Sequence, residues 1–196
     1  MTAPPRTAGR PRNAEHSEVA RQAALDLLRE QGYASISMEA IAERTGIAKQ
    51  TLYRRWKHKR ALILDAFTEQ ANQLPTLPFT ETAEQELLAF ARATCRTLTG
   101  QCGTTNRALM AEALQSPEFL VEFRERHLIK RRRQLRDILE RRQPGLDDPQ
   151  LETLVDLMLG PIWYRLLVQN APLDEPFADL LARNLLAALA SSAQLT

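Results

Sequence analysis

Between Ser37 and Leu62 the chain collects side chains suited to holding a polyanion. Lys49, Gln50, Thr51, Tyr53, Arg54 and Arg55 fall within two turns of one short predicted helix, roughly Lys49 to Trp56, and Ser37 and Lys59 flank it. An amide such as that of Gln50 can pair with a base edge, whereas hydroxyls and basic groups hold phosphate oxygens. No covalent chemistry accompanies them. The histidines His16, His58 and His127 are scattered, and no Gly-rich phosphate loop, HExxH or paired-carboxylate pattern occurs, so no enzyme, catalytic residue or cofactor is expected. Cys95 and Cys102 lack a CxxC or Cys/His metal spacing and read as buried or incidental thiols, with no metal.

Positioning those groups requires two short helices packed across each other. Ser37 is a good N-cap, and Met38, Ile41, Ala42, Ile47 and Leu52 supply apolar residues at helical spacing. Gly46 stands where a helix-turn-helix needs a left-handed residue to redirect the backbone. Ahead of this motif, a first helix is predicted over about 14–31, ended by Gly32 and backed by Tyr33. Behind it, Lys57 to Arg60 opens a fourth helix that continues to the proline break at 74–78. Lys59 at its start is placed as a phosphate clamp, and the helix joins the head to the remainder of the chain. Residues 1–13 read as a disordered basic arm, in which Arg10 and Arg12 sit on the proline-stiffened stretch Gly9-Arg10-Pro11-Arg12, suited to a narrow minor groove.

A formal net charge of +2 conceals an uneven distribution. Residues 1–60 hold 12 Lys+Arg against 6 Asp+Glu, and residues 61–196 hold 14 against 18, so a basic head precedes an acidic body. Alanine, leucine, glutamate and arginine dominate, glycines number only 7, and the 11 prolines lie mostly at helix boundaries, which predicts an all-α protein. No apolar run approaches a membrane span and the N-terminus has no apolar signal core, so a cytoplasmic location without membrane contact is expected.

The body is predicted to occupy 79–192, after a DNA-binding domain at 14–74. A helix capped by the box Thr82-Ala83-Glu84-Gln85 runs to Gly100, and a second spans about Thr105 to Gln115. A long one follows from Ser116 to about Arg142, and another starts at Asp148-Pro149. Gly160-Pro161 is expected to kink or divide that helix, and a last apolar one covers about Glu175 to Ala190. Two such apolar C-terminal helices per chain suit a four-helix dimer interface. Lys130-Arg131-Arg132-Arg133 reads as a solvated, acid-paired helix face. Residues that could face the interior of the body, and would line a ligand site if it holds one, are Phe67, Phe90, Cys95, Leu98, Met110, Leu114, Phe123, Trp163 and Tyr164; few charges look buried, which would suit a small apolar effector.

The stretch Gly46-Ile47-Ala48-Lys49-Gln50-Thr51-Leu52-Tyr53, with Trp56, Lys59-x-x-Leu62, and upstream Gly32-Tyr33 and Ser37-Met38-Glu39-Ala40-Ile41-Ala42, resembles the DNA-binding domain of the tetracycline-repressor (TetR) family. Ser116-Pro117-Glu118-Phe119 and the stretch from Leu159 to Leu167 are similar to segments of its C-terminal domains. The resemblance implies an N-terminal three-helix helix-turn-helix domain followed by a helical ligand-binding and dimerisation domain. It further implies a homodimer on a palindromic double-stranded DNA operator. In it, Gln50, Thr51 and Tyr53 would meet bases and backbone, and Ser37, Lys49 and Lys59 phosphates. Arg54-Arg55, His58 and Arg60 depart from the family's usual residues and leave the head more basic. The competing reading is an all-α interaction protein whose basic head meets a protein or a membrane surface.

Overall fold

The structure is a computed structural model that describes residues 12–72 and 80–192, so Arg10 and the proline break lie outside the described residues. The chain divides into two compact units, Met1–Asn72 and Gln73–Thr196. All regular structure among the described residues is helical.

In the N-terminal unit, α1 spans Arg12–Gln31, a 3-10 turn covers Tyr33–Ser35, and α2 (Met38–Thr45), α3 (Lys49–Arg55) and α4 (Lys59–Asn72) follow. Arg12 is the first residue of α1, not part of an extended arm, because the polar run Arg12-Asn13-Ala14-Glu15 offers no breaker after Pro11. Small buried residues on α1, Ala20, Ala23 and Ala24, face the fully buried Leu62, Ile63 and Ala66 of α4. One carboxylate ties three elements. Asp65 on α4 accepts from Arg21 Nη1 of α1 and from Trp56 Nε1 at the end of α3, both at 3.2 Å.

In the C-terminal unit the helices are α5 (Ala83–Thr97), α6 (Gly100–Gln115), α7 (Pro117–Phe123), α8 (Ile129–Arg142), α9 (Asp148–Tyr164) and α10 (Glu175–Ser192). Caps explain most of the starts: Thr82 Oγ1 accepts from Gln85 N, Ser116 Oγ from Phe119 N, and Asp147 forms a reciprocal capping box with Gln150. The box places the α9 cap one residue before the predicted Asp148. α6 begins at Gly100, five residues earlier than expected, since Gly100 takes a left-handed conformation at φ 59° and redirects the chain at once. The predicted single helix from Ser116 to Arg142 contains a π-helical turn at Arg124–Leu128. Pro161 does not divide α9; the helix runs through it to Tyr164, with Leu157, whose carbonyl the proline cannot satisfy, on the exposed side, and a second π turn follows at Arg165–Gln169.

α6 lies close to the end of α5. A Cβ added at Gly103 would stand 2.1 Å from the Leu98 carbonyl oxygen, with Leu98 C at 3.1 Å and Leu166 Cδ1 at 3.2 Å. Gly103→Ala is therefore expected to force the α5–α6 junction apart and to destabilise the C-terminal unit by about 2–3 kcal/mol, read as a lower midpoint in urea.

Ion pairs fasten the remaining helices. Arg92 on α5 grips Asp179 on α10 with two bonds, Nε–Oδ1 2.6 Å and Nη2–Oδ2 2.8 Å. Glu86, 3% exposed, accepts from Arg142 Nε at 2.7 Å and Arg141 Nη2 at 3.0 Å. Burial alone would raise the Glu86 pKa, but the hydrogen bonds from Arg142 and Arg141 outweigh it and hold the carboxyl below its ordinary range. A carboxylate with a depressed folded pKa contributes stability above its unfolded pKa and loses it as pH falls through the folded value. The wild-type chain should thus lose more stability than Glu86→Gln between neutral pH and pH about 4, so the gap between their midpoints narrows on acidification. At neutral pH the variant is expected to cost roughly 2 kcal/mol, less than a sealed pair because Arg141 remains exposed.

Candidate nucleic-acid interface

The helix-turn-helix is built by two anchors and one turn. Gly46 adopts φ 67°, ψ 7° and donates its N–H to Ala42 O at 2.9 Å, ending α2 in the left-handed conformation that lets the chain reverse. Ile47 and Leu52, 7% and 1% exposed, peg α3 into the core from one side. Lys49, Gln50, Tyr53, Arg54 and Arg55 all lie on exposed faces of α3, and Thr51 is half-buried. At seven residues, α3 presents nearly all of its polar side chains outward.

Neighbouring groups tune those side chains. Ser37 Oγ accepts from Ala40 N at 3.0 Å, which caps α2 and leaves the hydroxyl hydrogen for an external acceptor. Glu39, on α2, is a residue that composition and charge count alone did not mark. Its Oε1 accepts from Tyr53 Oη at 3.5 Å and sits 3.6 Å from Lys49 Nζ, so one exposed acid restrains two groups of α3. The Arg55 guanidinium lies 5.2 Å from the centre of the Trp56 ring. Lys59 is engaged within the unit: Nζ donates to Tyr33 O at 3.1 Å and Ala34 O at 3.5 Å and lies 4.7 Å from the centre of the Tyr33 ring. It steadies the turn before α2, an attachment that the clamp expected from sequence did not include.

The comparisons with known proteins agree with this geometry. Residues 21–66 match the pattern of "Bacterial regulatory proteins, tetR family", and residues 77–185 match "Tetracyclin repressor-like, C-terminal domain". The uncharacterised HTH-type transcriptional regulator YdeS of Bacillus subtilis (strain 168) is 32% identical over 179 residues, 90% of each chain. The chain belongs to the TetR family. The uncharacterised HTH-type regulator Mb1581 of Mycobacterium bovis is 30% identical over 76% of this chain and 74% of its own. Among solved structures, the TetR family transcription regulator SCO0332 superposes with a TM-score of 0.74 at 28% identity, covering 88% of this chain and 97% of that one. This TetR-family protein is accordingly a helix-turn-helix transcriptional regulator and not an enzyme. No helix among the described residues is long and apolar enough to cross a membrane.

The residues suggested as ligand-lining are distributed unevenly. Phe90, Cys95, Leu98 and Phe123 are buried in the C-terminal unit, Met110 is half-buried, and Trp163 packs against the core from its edge. Burial pushes the Cys95 thiol up to about 11, the behaviour of an inert core cysteine. Three candidates fall away. Leu114 is 71% exposed because α6 turns Leu109 and Ala113 inward, and Tyr164 is 53% exposed on the outer side of α9, opposite Ile162. Phe67 belongs to α4 of the N-terminal unit, where it is buried.

The basic run also departs from its expected role. Arg132 pairs with Asp156 at 2.7 Å and with Glu152, and Arg136 with Glu140 at 2.8 Å, Glu152 at 3.2 Å and Asp148. Except for the Arg136–Glu140 pair, which lies within α8, these bonds bridge α8 to α9. Arg131 instead points inward: its Cζ lies 5.3 Å from the centre of the fully buried Phe90 ring, and Nη1 donates to Gln134 Oε1 at 2.8 Å. One turn earlier His127 stacks on Phe123 at 5.3 Å between centroids and meets Asn106 Oδ1 with Nε2 at 2.8 Å. Asn106, 1% exposed, donates Nδ2 to Cys102 O at 2.9 Å. A carbonyl can only accept, so Asn106 must turn Oδ1 to the ring and His127 must carry its proton on Nε2. Burial, and secondarily the charges of Lys130 and Arg131, push His127 down to about 4, so its imidazole is neutral near pH 7. Among the charged side chains of the body Glu86 is buried and Arg131 half-buried, and the neutral His127 adds no charge, so buried charges are few, as expected.

Proposed function

We propose that the protein is a ligand-responsive repressor that acts as a homodimer on a palindromic operator in the cytoplasm. The observation that carries this reading is α3, a short helix pegged by Leu52 with Lys49, Gln50, Tyr53, Arg54 and Arg55 all exposed. Gln50, Thr51 and Tyr53 meet bases and adjacent backbone, and Ser37, Lys49, Arg54, Arg55 and Lys59 hold phosphates, with Arg10 and Arg12 extending the contact from the N-terminal residues. Residues 14–74 serve as the DNA-binding domain and 79–192 as the ligand-binding and dimerisation domain. The dimer reading is supported by an exposed apolar face that runs along one side of α9 and its π turn, Leu157, Tyr164, Leu167 and Val168, with Leu180 on α10. Family members act as dimers that bind ligands, and a second copy of this chain is the occupant suited to that face.

Two half-sites one helical turn apart follow from two-fold symmetry. A small molecule in the body relieves repression by shifting the population toward dimers whose heads no longer match that spacing. Distances between labelled heads with and without an inducer test the mechanism, and induction with no change in separation contradicts it. DNA as partner, against a protein or membrane surface, is tested by titrating a duplex at increasing salt. The expected log–log slope is steep, several units for about that many phosphate contacts, and a flat response removes the reading.

A further inference from the structure

Positions 123, 127, 131 and 135 share the inward face of one continuous helical stretch. The outer two, Phe123 and Leu135, are fully buried core residues, and the inner two are His127 and Arg131. Arg131 is half-buried, with its guanidinium over the buried Phe90 ring, and a guanidinium so placed loses part of its hydration, which a carboxylate ordinarily offsets. Its neighbours on α8 follow that rule: Arg132, Arg136, Arg141 and Arg142 each pair with an acid. Arg131 has none among the described residues; it holds one bond to the neutral Gln134 amide and the face of Phe90. Burial alone depresses its pKa, with no acid nearby to raise it. Its guanidinium lies over the Phe90 ring, and one turn earlier on the same helix stands the neutral imidazole held by Asn106, itself against Phe123.

We propose that Arg131 is the anion-recognition group of the effector site, and that the effector is a small aromatic carboxylate. Its acid engages the guanidinium fork while its ring packs among Phe90, Phe123 and His127. The planar fork matches a carboxylate in two parallel bonds, and a monoanion neutralises the one charge of Arg131. A phosphate dianion would leave excess negative charge in an apolar setting. This inference rests on the reading that the body takes a small molecule, and it replaces the purely apolar effector expected from sequence.

The test uses the full-length protein with benzoate, 4-hydroxybenzoate, cinnamate and indole-3-acetate, their uncharged amides, and phenyl phosphate, read by thermal shift and calorimetry. At least one carboxylate should stabilise the wild type while its amide and phenyl phosphate do not. Arg131→Met should melt at a higher temperature than the wild type without any probe, because an uncompensated charge is gone, and should lose about tenfold or more in carboxylate affinity. Arg131→Lys should retain part of that affinity. Equal response to acid and amide, no response to any carboxylate, or undiminished carboxylate binding by Arg131→Met overturns the proposal. A lower melting temperature for unliganded Arg131→Met, with Arg131→Lys binding no more weakly than wild type, assigns the residue to structure and overturns it as well. Operator binding is measured on the same samples. Intact operator binding with indifference to carboxylates sinks this inference alone, whereas carboxylate binding without operator binding sinks the regulator mechanism and leaves Arg131 recognition standing.

Discussion

Tyr53→Ala should weaken operator binding by roughly tenfold to a hundredfold, the loss of about 1–3 kcal/mol that one well-placed base or backbone contact supplies, while leaving the melting temperature nearly unchanged. The asymmetry follows from position. Tyr53 is 43% exposed and its tie to Glu39 Oε1 is a long 3.5 Å bond, so folding depends little on it. A protein-level defect would appear as a shifted melting curve or an altered oligomeric state. Affinity for operator and for unrelated duplex separates the two parts of the residue's role. An equal loss on both sequences means a phosphate contact, and a loss confined to the operator means base readout.

Trp56→Ala is expected to act through the opposite route, by unfolding the N-terminal unit. Trp56 is 5% exposed, follows the last turn of α3 with its N–H on Leu52 O at 2.8 Å, and donates Nε1 to Asp65. Removing it opens a cavity under α3 and takes the indole donor from Asp65, which also accepts from Arg21. Truncating a buried tryptophan costs about 3–5 kcal/mol, much of the 5–15 kcal/mol typical of a whole domain. Because the chain comprises two compact units with separate cores, the loss should appear as an early transition ahead of a nearly unchanged one. A single transition shifted as a whole would mean that the units unfold together. Trp56→Phe keeps most of the buried area and should lose only the indole bond, roughly 1 kcal/mol.

Much of the fold was legible because its signals are local. Gly46 needed a left-handed turn, Ser37 and Ser116 had the shape of caps, and the apolar period of α1 to α4 was uninterrupted. What escaped depended on tertiary packing. The early start of α6 uses a left-handed Gly100, and the tight site of Gly103 behind it is closed by Leu166, a residue far along the chain. The bridges from Arg132 and Arg136 run to acids on α9, 12 to 24 residues away, where helix-face spacing cannot look. The exposure of Leu114 and Tyr164 was beyond a list of apolar residues, since it depends on which face each helix turns inward.

The exposed face of α3 and the cluster of His127 and Arg131 differ in the same way. The polar residues from Lys49 to Arg55 could be named from sequence because polar groups beside a pegged Leu52 turn mostly outward. Glu39 could not, since its contact with α3 depends on how two helices cross. For His127 and Arg131 a signal existed: the four-residue step from Phe123 to Leu135 passes through both. Reading Lys130 to Arg133 as one charged block concealed that step, although a helix sends its four residues in four directions.

The central claim, a two-fold symmetric sequence reader, is tested most directly by sequencing the duplexes that the purified full-length protein selects from a random pool. The account predicts an inverted repeat whose half-sites are centred about one helical turn apart, enriched by wild type and not by Tyr53→Ala. Recovery of unrelated sequences, or of a single unpaired half-site, would contradict it.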